Sequence, residues 1–183
     1  MKVFNLPYRL GEEDYLKFND HFLQYTPLGK KTLSTYRLIL PIVAAIFYLF
    51  ILYFSRDPIV LIAEAVVLSI LSLIWFLCAR KILLKSIQKR VKRSKAGDPV
   101  LFSPAGEIVF DFENRSLTDI DEKTETKIRF ESISVCYRTE DAFYFYFQPA
   151  RAVILPYRCF SDRAEMDEFF HLVSTYFPVR YES

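Results

Sequence analysis

Two apolar runs dominate the chain. Leu38 to Phe54 is 17 residues without a charge, and Ile59 to Ala79 is 21 residues with one, Glu64. As helices they would reach about 26 Å and 32 Å, close to the roughly 30 Å hydrocarbon core of a bilayer. A helix of a soluble core carries a polar stripe at helical spacing, but the first run offers only the hydroxyls of Tyr48 and Tyr53. The second holds thirteen Leu, Ile, Val or Phe residues. Each favours insertion by about 0.3–0.6 kcal/mol, against roughly 2.5–3.5 kcal/mol opposing it for a centred acid, so Glu64 does not veto a span. Ser55-Arg56-Asp57-Pro58 joins the runs and leaves room only for a tight turn. The pattern predicts a transmembrane hairpin with spans at 38–54 and 59–79, Pro58 in the first turn of the second helix. Folding one helix on the other sets Ala44 opposite Ser69 and Tyr48 near Ala65 and Glu64, where Ala65, Ser69 and Ser72 permit close backbone approach.

From Gly106 the period changes to two. Short strands are predicted at Glu107–Phe112, Ser116–Ile120, Thr126–Phe130, Ile133–Tyr137, Ala142–Phe147 and Ala152–Pro156, separated by polar turns. In Ala142–Phe147, Phe143, Phe145 and Phe147 share one face, read as core, and Tyr144 and Tyr146 the other. A final helix begins near Asp162, which has capping-box spacing to Glu165, and runs to Phe177 before Pro178. Its stripe of Met166, Phe169, Phe170, Val173, Tyr176 and Phe177 would close the sheet. The resulting α+β domain, an antiparallel sheet or barrel capped by a C-terminal helix, resembles the pleckstrin-homology architecture. Before the hairpin, Val3–Leu10 is strand-like and Glu12-Glu13-Asp14 place negative charge in the first turn of a helix through about Leu23. This segment could add a strand to the later domain or lie on the bilayer. The expected organisation is 1–37, a strand and helix; 38–79, the hairpin; 80–96, a basic stem; and 97–183, the C-terminal domain.

Charge is segregated along this plan. Residues 80–96 carry eight Lys/Arg and no acid, while 97–183 carry nine Lys/Arg and sixteen Asp/Glu. Lys30, Lys31 and Arg37 precede the first span and the stem follows the second, whereas the tip has only Arg56. By the positive-inside rule both termini are expected in the cytoplasm. Cys78, Cys136 and Cys159 show no paired spacing, and His21 and His171 have no nearby ligands, so neither a disulfide framework nor a zinc site is expected.

An acid in a span is a candidate for ion or proton handling, or for partner contact, but Glu64 is near the tip and has no matching His, Asp or Lys in either span. The competing expectation is that it reaches the interface or bonds Tyr48. In the stem, Arg80, Lys81, Lys85, Lys89, Arg90, Lys92, Arg93 and Lys95 are candidate anionic-lipid contacts, at about 1 kcal/mol each near the surface. Topology signalling would explain most of the same residues, and docking on the acidic domain is a further reading. Tethering at the membrane argues against nucleic acid. Tyr144, Tyr146 and Tyr157 are candidate partner contacts if exposed, and otherwise would pack on the N-terminal segment. Asp119, Asp121 and Glu122 read as solvated turn acids before they read as a metal cluster. No phosphate loop, nucleophile elbow or zinc-protease motif occurs, so neither enzyme nor cofactor is expected.

The ordering of "YRLGEEDYLKFN", a two-helix hairpin, a basic stem and a domain ending "AVILPYRCFSDRAEMDEFFHLV" resembles the YcxB-like bacterial membrane proteins. Its motifs are the Ile154-Leu155-Pro156 strand end, Arg158, Phe160 and the following helix. The resemblance implies a bacterial inner-membrane protein and brings no catalytic residues with it. The expectation is a non-catalytic module that presents a cytoplasmic domain to a protein partner or a second copy. Anionic-lipid sensing through the stem, or a role in membrane stress or immunity, is the alternative.

Overall fold

The computed structural model describes residues 2–55, 57–97, 105–121 and 125–181, with side chains omitted at 93–97 and 121. The elements are β1 (Val3–Tyr8), α1 (Glu12–Tyr25), α2 (Pro27–Phe54), α3 (Pro58–Gly97), β2 (Gly106–Asp111), β3 (Ser116–Asp121), β4 (Glu125–Arg129), β5 (Val135–Arg138), β6 (Ala142–Gln148), β7 (Arg151–Pro156), α4 (Arg163–Tyr176) and β8 (Val179–Tyr181). Packing divides them into two units, one joining the chain up to Asn19 with the chain from Arg90 onward, the other being Asp20–Lys89.

The first unit contains two four-stranded sheets, ordered β1-β2-β3-β4 and β7-β6-β5-β8. The N-terminal segment does contribute a strand: β1 lies antiparallel to β2, from Val3 opposite Asp111 to Tyr8 opposite Gly106. Alternation along β1 puts Phe4, Leu6 and Tyr8 inward and Val3, Asn5 and Pro7 outward. Across the second sheet, Phe143 and Phe145 of β6 are fully buried, as is Phe169 of α4. The Phe169 ring meets Phe110 at 4.8 Å, Phe160 at 5.2 Å and Phe4 at 5.3 Å. Burying each such side chain stabilises the fold by about 1.5–3 kcal/mol. Helix α4 starts where expected, because the Asp162 carboxylate accepts from the Glu165 amide at 2.8 Å and Glu165 accepts from the Ser161 amide at 2.7 Å.

Two features depart from the sequence pattern. Residues 130–132 leave β4 as a 3-10 turn, and Ser134 bonds Tyr146 without joining β5. After α4 the chain adds β8, parallel to β5, to an otherwise antiparallel arrangement; three residues with two of them exposed carry too little alternation to be seen in advance.

In the second unit, α2 begins well before the apolar run. Thr26 caps it, accepting from the Gly29 amide at 3.0 Å while its own hydroxyl donates to the Phe22 carbonyl at 2.8 Å. Pro27 fits the first helical position, where no amide is needed. At the other end Asp57 accepts from the Ile59 amide at 2.9 Å and starts α3 at Pro58. Both helices are long and apolar enough to cross a membrane, and their most apolar stretches are 6% and 0% buried. Ile46, Leu49, Ile59 and Leu77 are each more than 60% exposed. A core helix of a soluble protein would enclose these side chains; their exposure suggests a lipid environment for the two helices.

Candidate functional site

Helix α1 is amphipathic, and its first turns are held on the strand domain from both sides. Gly11 donates its amide to Asp14 at 2.6 Å, and Arg158 grips the same carboxylate, with Nη1 to Oδ1 at 2.9 Å, while donating from Nη2 to the Arg9 carbonyl at 2.8 Å. Lys17 bridges Asp141 at 2.5 Å and Glu13 at 3.1 Å. Phe18 then lies on Tyr144 at 5.4 Å and Tyr146 at 5.8 Å. Gly11, Glu13, Asp14, Lys17, Glu140, Asp141, Tyr157 and Arg158 together surround an open depression of about 430 Å³. Burial, with Asp119 and Asp14 nearby, pushes Tyr15 of this helix up to about 12.

This arrangement corrects the reading of Tyr144 and Tyr146 as exposed partner contacts. Both are 3% exposed, because α1 covers the face of β6 opposite the phenylalanines. Tyr157 is half-buried: its ring meets Phe143 edge-on at 4.9 Å and its hydroxyl donates to the Thr139 carbonyl at 2.5 Å. Arg158, known from the sequence only as part of a motif, joins that motif to the N-terminal "GEED" 144 residues away. Neither half announces the other.

Burial alone would raise the Asp14 carboxyl, but Arg158 and the Gly11 amide outweigh it and hold it below the usual carboxylate range. A depressed folded-state value stabilises the fold above that range and ceases to do so as pH falls through it. With Arg158 more than half exposed, Asp14→Asn is expected to cost only about 1 kcal/mol at neutral pH. Thermal unfolding of the solubilised protein should show the gap from wild type closing below about pH 4; a gap independent of pH would mean that the ion pair is not its source.

The stem is divided by its partners. Arg80 faces inward to Asp20, Nε to Oδ1 at 2.7 Å and Nη2 to Oδ2 at 2.6 Å, and Lys92 lies 3.6 Å from Glu12. Arg80 is therefore not a free lipid contact, because its guanidinium is already satisfied by a carboxylate. Lys81, Lys85, Lys89 and Arg90 are exposed and form no ion pair among the described residues. The side chains of Arg93 and Lys95 lie outside the described residues.

Within the hairpin, Ala44, Tyr48, Ala65, Ser69 and Ser72 line one groove of about 320 Å³, as the folded register predicts. Glu64 does not bond Tyr48: its Oε2 is enclosed without a hydrogen-bond partner, while Tyr48 lies along the groove. Asp119 accepts from the Tyr8 hydroxyl at 2.8 Å, and no cluster of three or more metal-ligating side chains occurs among the described residues. The Asp121 side chain and Glu122 lie outside them. A second depression, about 700 Å³, brings Arg115, Lys127 and Arg129 together at the β2–β3 turn, with Glu113 and Glu131 offsetting their charge.

The family described as YcxB-like protein matches residues 112–173, from just after β2 into α4. That stretch is similar to YcxB-like proteins. The YcxB-like match takes in the strands β3 to β7 and Arg158 but neither β1 nor the apolar helices, so the family region and the packed unit are not the same stretch of chain. No curated protein and no solved structure matches the chain.

Proposed function

We propose that this chain is a YcxB-like, multi-pass bacterial inner-membrane protein with both termini in the cytoplasm, presenting a pleckstrin-homology-like domain that binds a protein partner or a second copy and catalyses no reaction. One observation carries the topology. Strand β1 precedes both apolar helices, β2 follows them, and the two pair along six residues. Strands cannot pair across a bilayer, so helices that cross must do so an even number of times. The basic residues at Lys30, Lys31 and Arg37 and along the stem favour the cytoplasm as the shared side.

The strand count supports the domain type. With β1 included, four antiparallel strands are followed by β5-β6-β7 and a C-terminal helix. The hairpin would then be an insertion into the first strand connection of such a domain. With Tyr144 and Tyr146 enclosed, the contact surface in this reading moves to the charged depression that Tyr157 lines.

A reporter fused after Ser183 is expected to be active only in the cytoplasm; activity in the periplasm would overturn the topology. Crosslinking the full-length protein in its own membranes, followed by mass spectrometry, tests the binding role. A stoichiometric partner, distinct or identical, supports it, and an uncrosslinked monomer counts against it.

A further inference from the structure

The exposed face of α3 changes chemistry partway along an unbroken helix. Through the apolar run it presents Ile70, Ile74 and Leu77, each more than half exposed. At further four-residue steps it presents Lys81, Lys85 and Lys89, all exposed. Steps of three and four keep these positions on one side of a helix. The inward side of the same stretch holds Ala79, Leu83, Ile87 and Val91, buried or half-buried, with Arg80 turned to Asp20. The face that would meet acyl chains therefore runs directly into a row of ammonium groups with no carboxylate partner among the described residues.

Depth ranks the three lysines. Measured along the axis from Ala79, the last residue of the apolar run, Lys81 lies about 3 Å on, Lys85 about 9 Å and Lys89 about 15 Å. Headgroups occupy roughly 5–8 Å on each side of the hydrocarbon, and charge is screened over about 8 Å at physiological salt. Lys81 and Lys85 can reach phosphates with their flexible stems, whereas Lys89 acts only at a distance.

We propose that Lys81 and Lys85, with a weaker contribution from Lys89, form a contact site for anionic phospholipid headgroups of the leaflet in which α3 ends. The site rests on the membrane reading above but asks more of it: a positive-inside signal needs the charges to be present, not lined up on the lipid-facing side. Continuity with the apolar face selects lipid over a soluble anion.

The test uses the full-length protein in nanodiscs of equimolar phosphatidylcholine and phosphatidylglycerol, with native mass spectrometry counting the lipids that remain bound. The wild type is expected to retain phosphatidylglycerol selectively. At about fivefold per lysine near the surface, K81Q/K85Q should lose more than tenfold of that preference and K89Q less than about threefold. Raising salt on the wild-type protein should erode the preference without any variant, which covers a double variant that folds poorly. Equal retention of the two lipids by the wild type, an undiminished preference in K81Q/K85Q, or displacement by inorganic phosphate at matched ionic strength would overturn the proposal. Extraction of native membranes with alkaline carbonate keeps the failures apart. Release of the protein refutes the membrane reading, whereas resistant protein without lipid preference refutes only the lysine site.

Discussion

Leu6→Asp should unfold the strand domain, although Leu6 lies outside the family region and before both apolar helices. Leu6 is 1% exposed in β1, opposite Ile108 of β2. Truncating a buried leucine costs about 2–5 kcal/mol, and an unpaired carboxylate in an apolar core adds several more. The sum reaches the total stability of about 5–15 kcal/mol typical of a domain. Cys136 supplies the readout, being fully enclosed between the sheets with its thiol pushed upward by burial. In wild-type protein, a pulse of alkylating reagent should leave Cys136 unmodified; in Leu6→Asp it should react quickly. Asn5→Asp places the same charge one residue earlier, on the outward face, and should change stability by less than about 0.5 kcal/mol. Protection of Cys136 in Leu6→Asp would show that β1 is dispensable, and its pairing with β2 would then no longer require the two helices to return to one side of a membrane.

The contrast between these neighbouring positions marks what the sequence discloses. Alternation identified the inward phenylalanines of β6, the residue pattern marked Val3–Leu10 as strand-like, and composition identified the hairpin, because each signal is local. Composition did not locate the start of α2, since helix propensity continues through the polar Lys30–Arg37 and the apolar run marks only the part suited to a bilayer. Nor could alternation reveal that both faces of β6 are enclosed. Tyr144 and Tyr146 look like an outward face until α1 supplies Phe18. The Asp14–Arg158 pair and the Glu64 environment depend on contacts between distant positions, which spacing along one segment cannot encode. Steric need was equally hidden at Gly106, where an added Cβ would lie 2.6 Å from the Ile120 carbonyl oxygen and 2.9 Å from the Tyr8 ring.

Gly29→Ala should break the corner between α1 and α2, despite replacing the poorer helix former with the best one. In an open helix the change would stabilise by about 0.5–1 kcal/mol. At Gly29 the new Cβ would sit 1.8 Å from the Phe22 carbonyl oxygen, 2.6 Å from its carbonyl carbon and 2.8 Å from Leu23 Cα. Those atoms are backbone, so no rotamer relieves the overlap and the last turn of α1 must move away. The movement would break the capping bond from the Gly29 amide to Thr26 and the bond from Thr26 to Phe22. Overpacking commonly costs about 1–3 kcal/mol, and the loss here should lie at the upper end. Amide exchange across residues 22–30 should therefore accelerate by about two orders of magnitude. Gly11→Ala is the control, because its Cβ would meet only Asp14 Oδ2 at an ordinary 3.5 Å. Unchanged exchange in Gly29→Ala would mean that α1 and α2 do not meet this closely. The clash would then give no reason for glycine at the point where the chain turns from its first helix into its first apolar one.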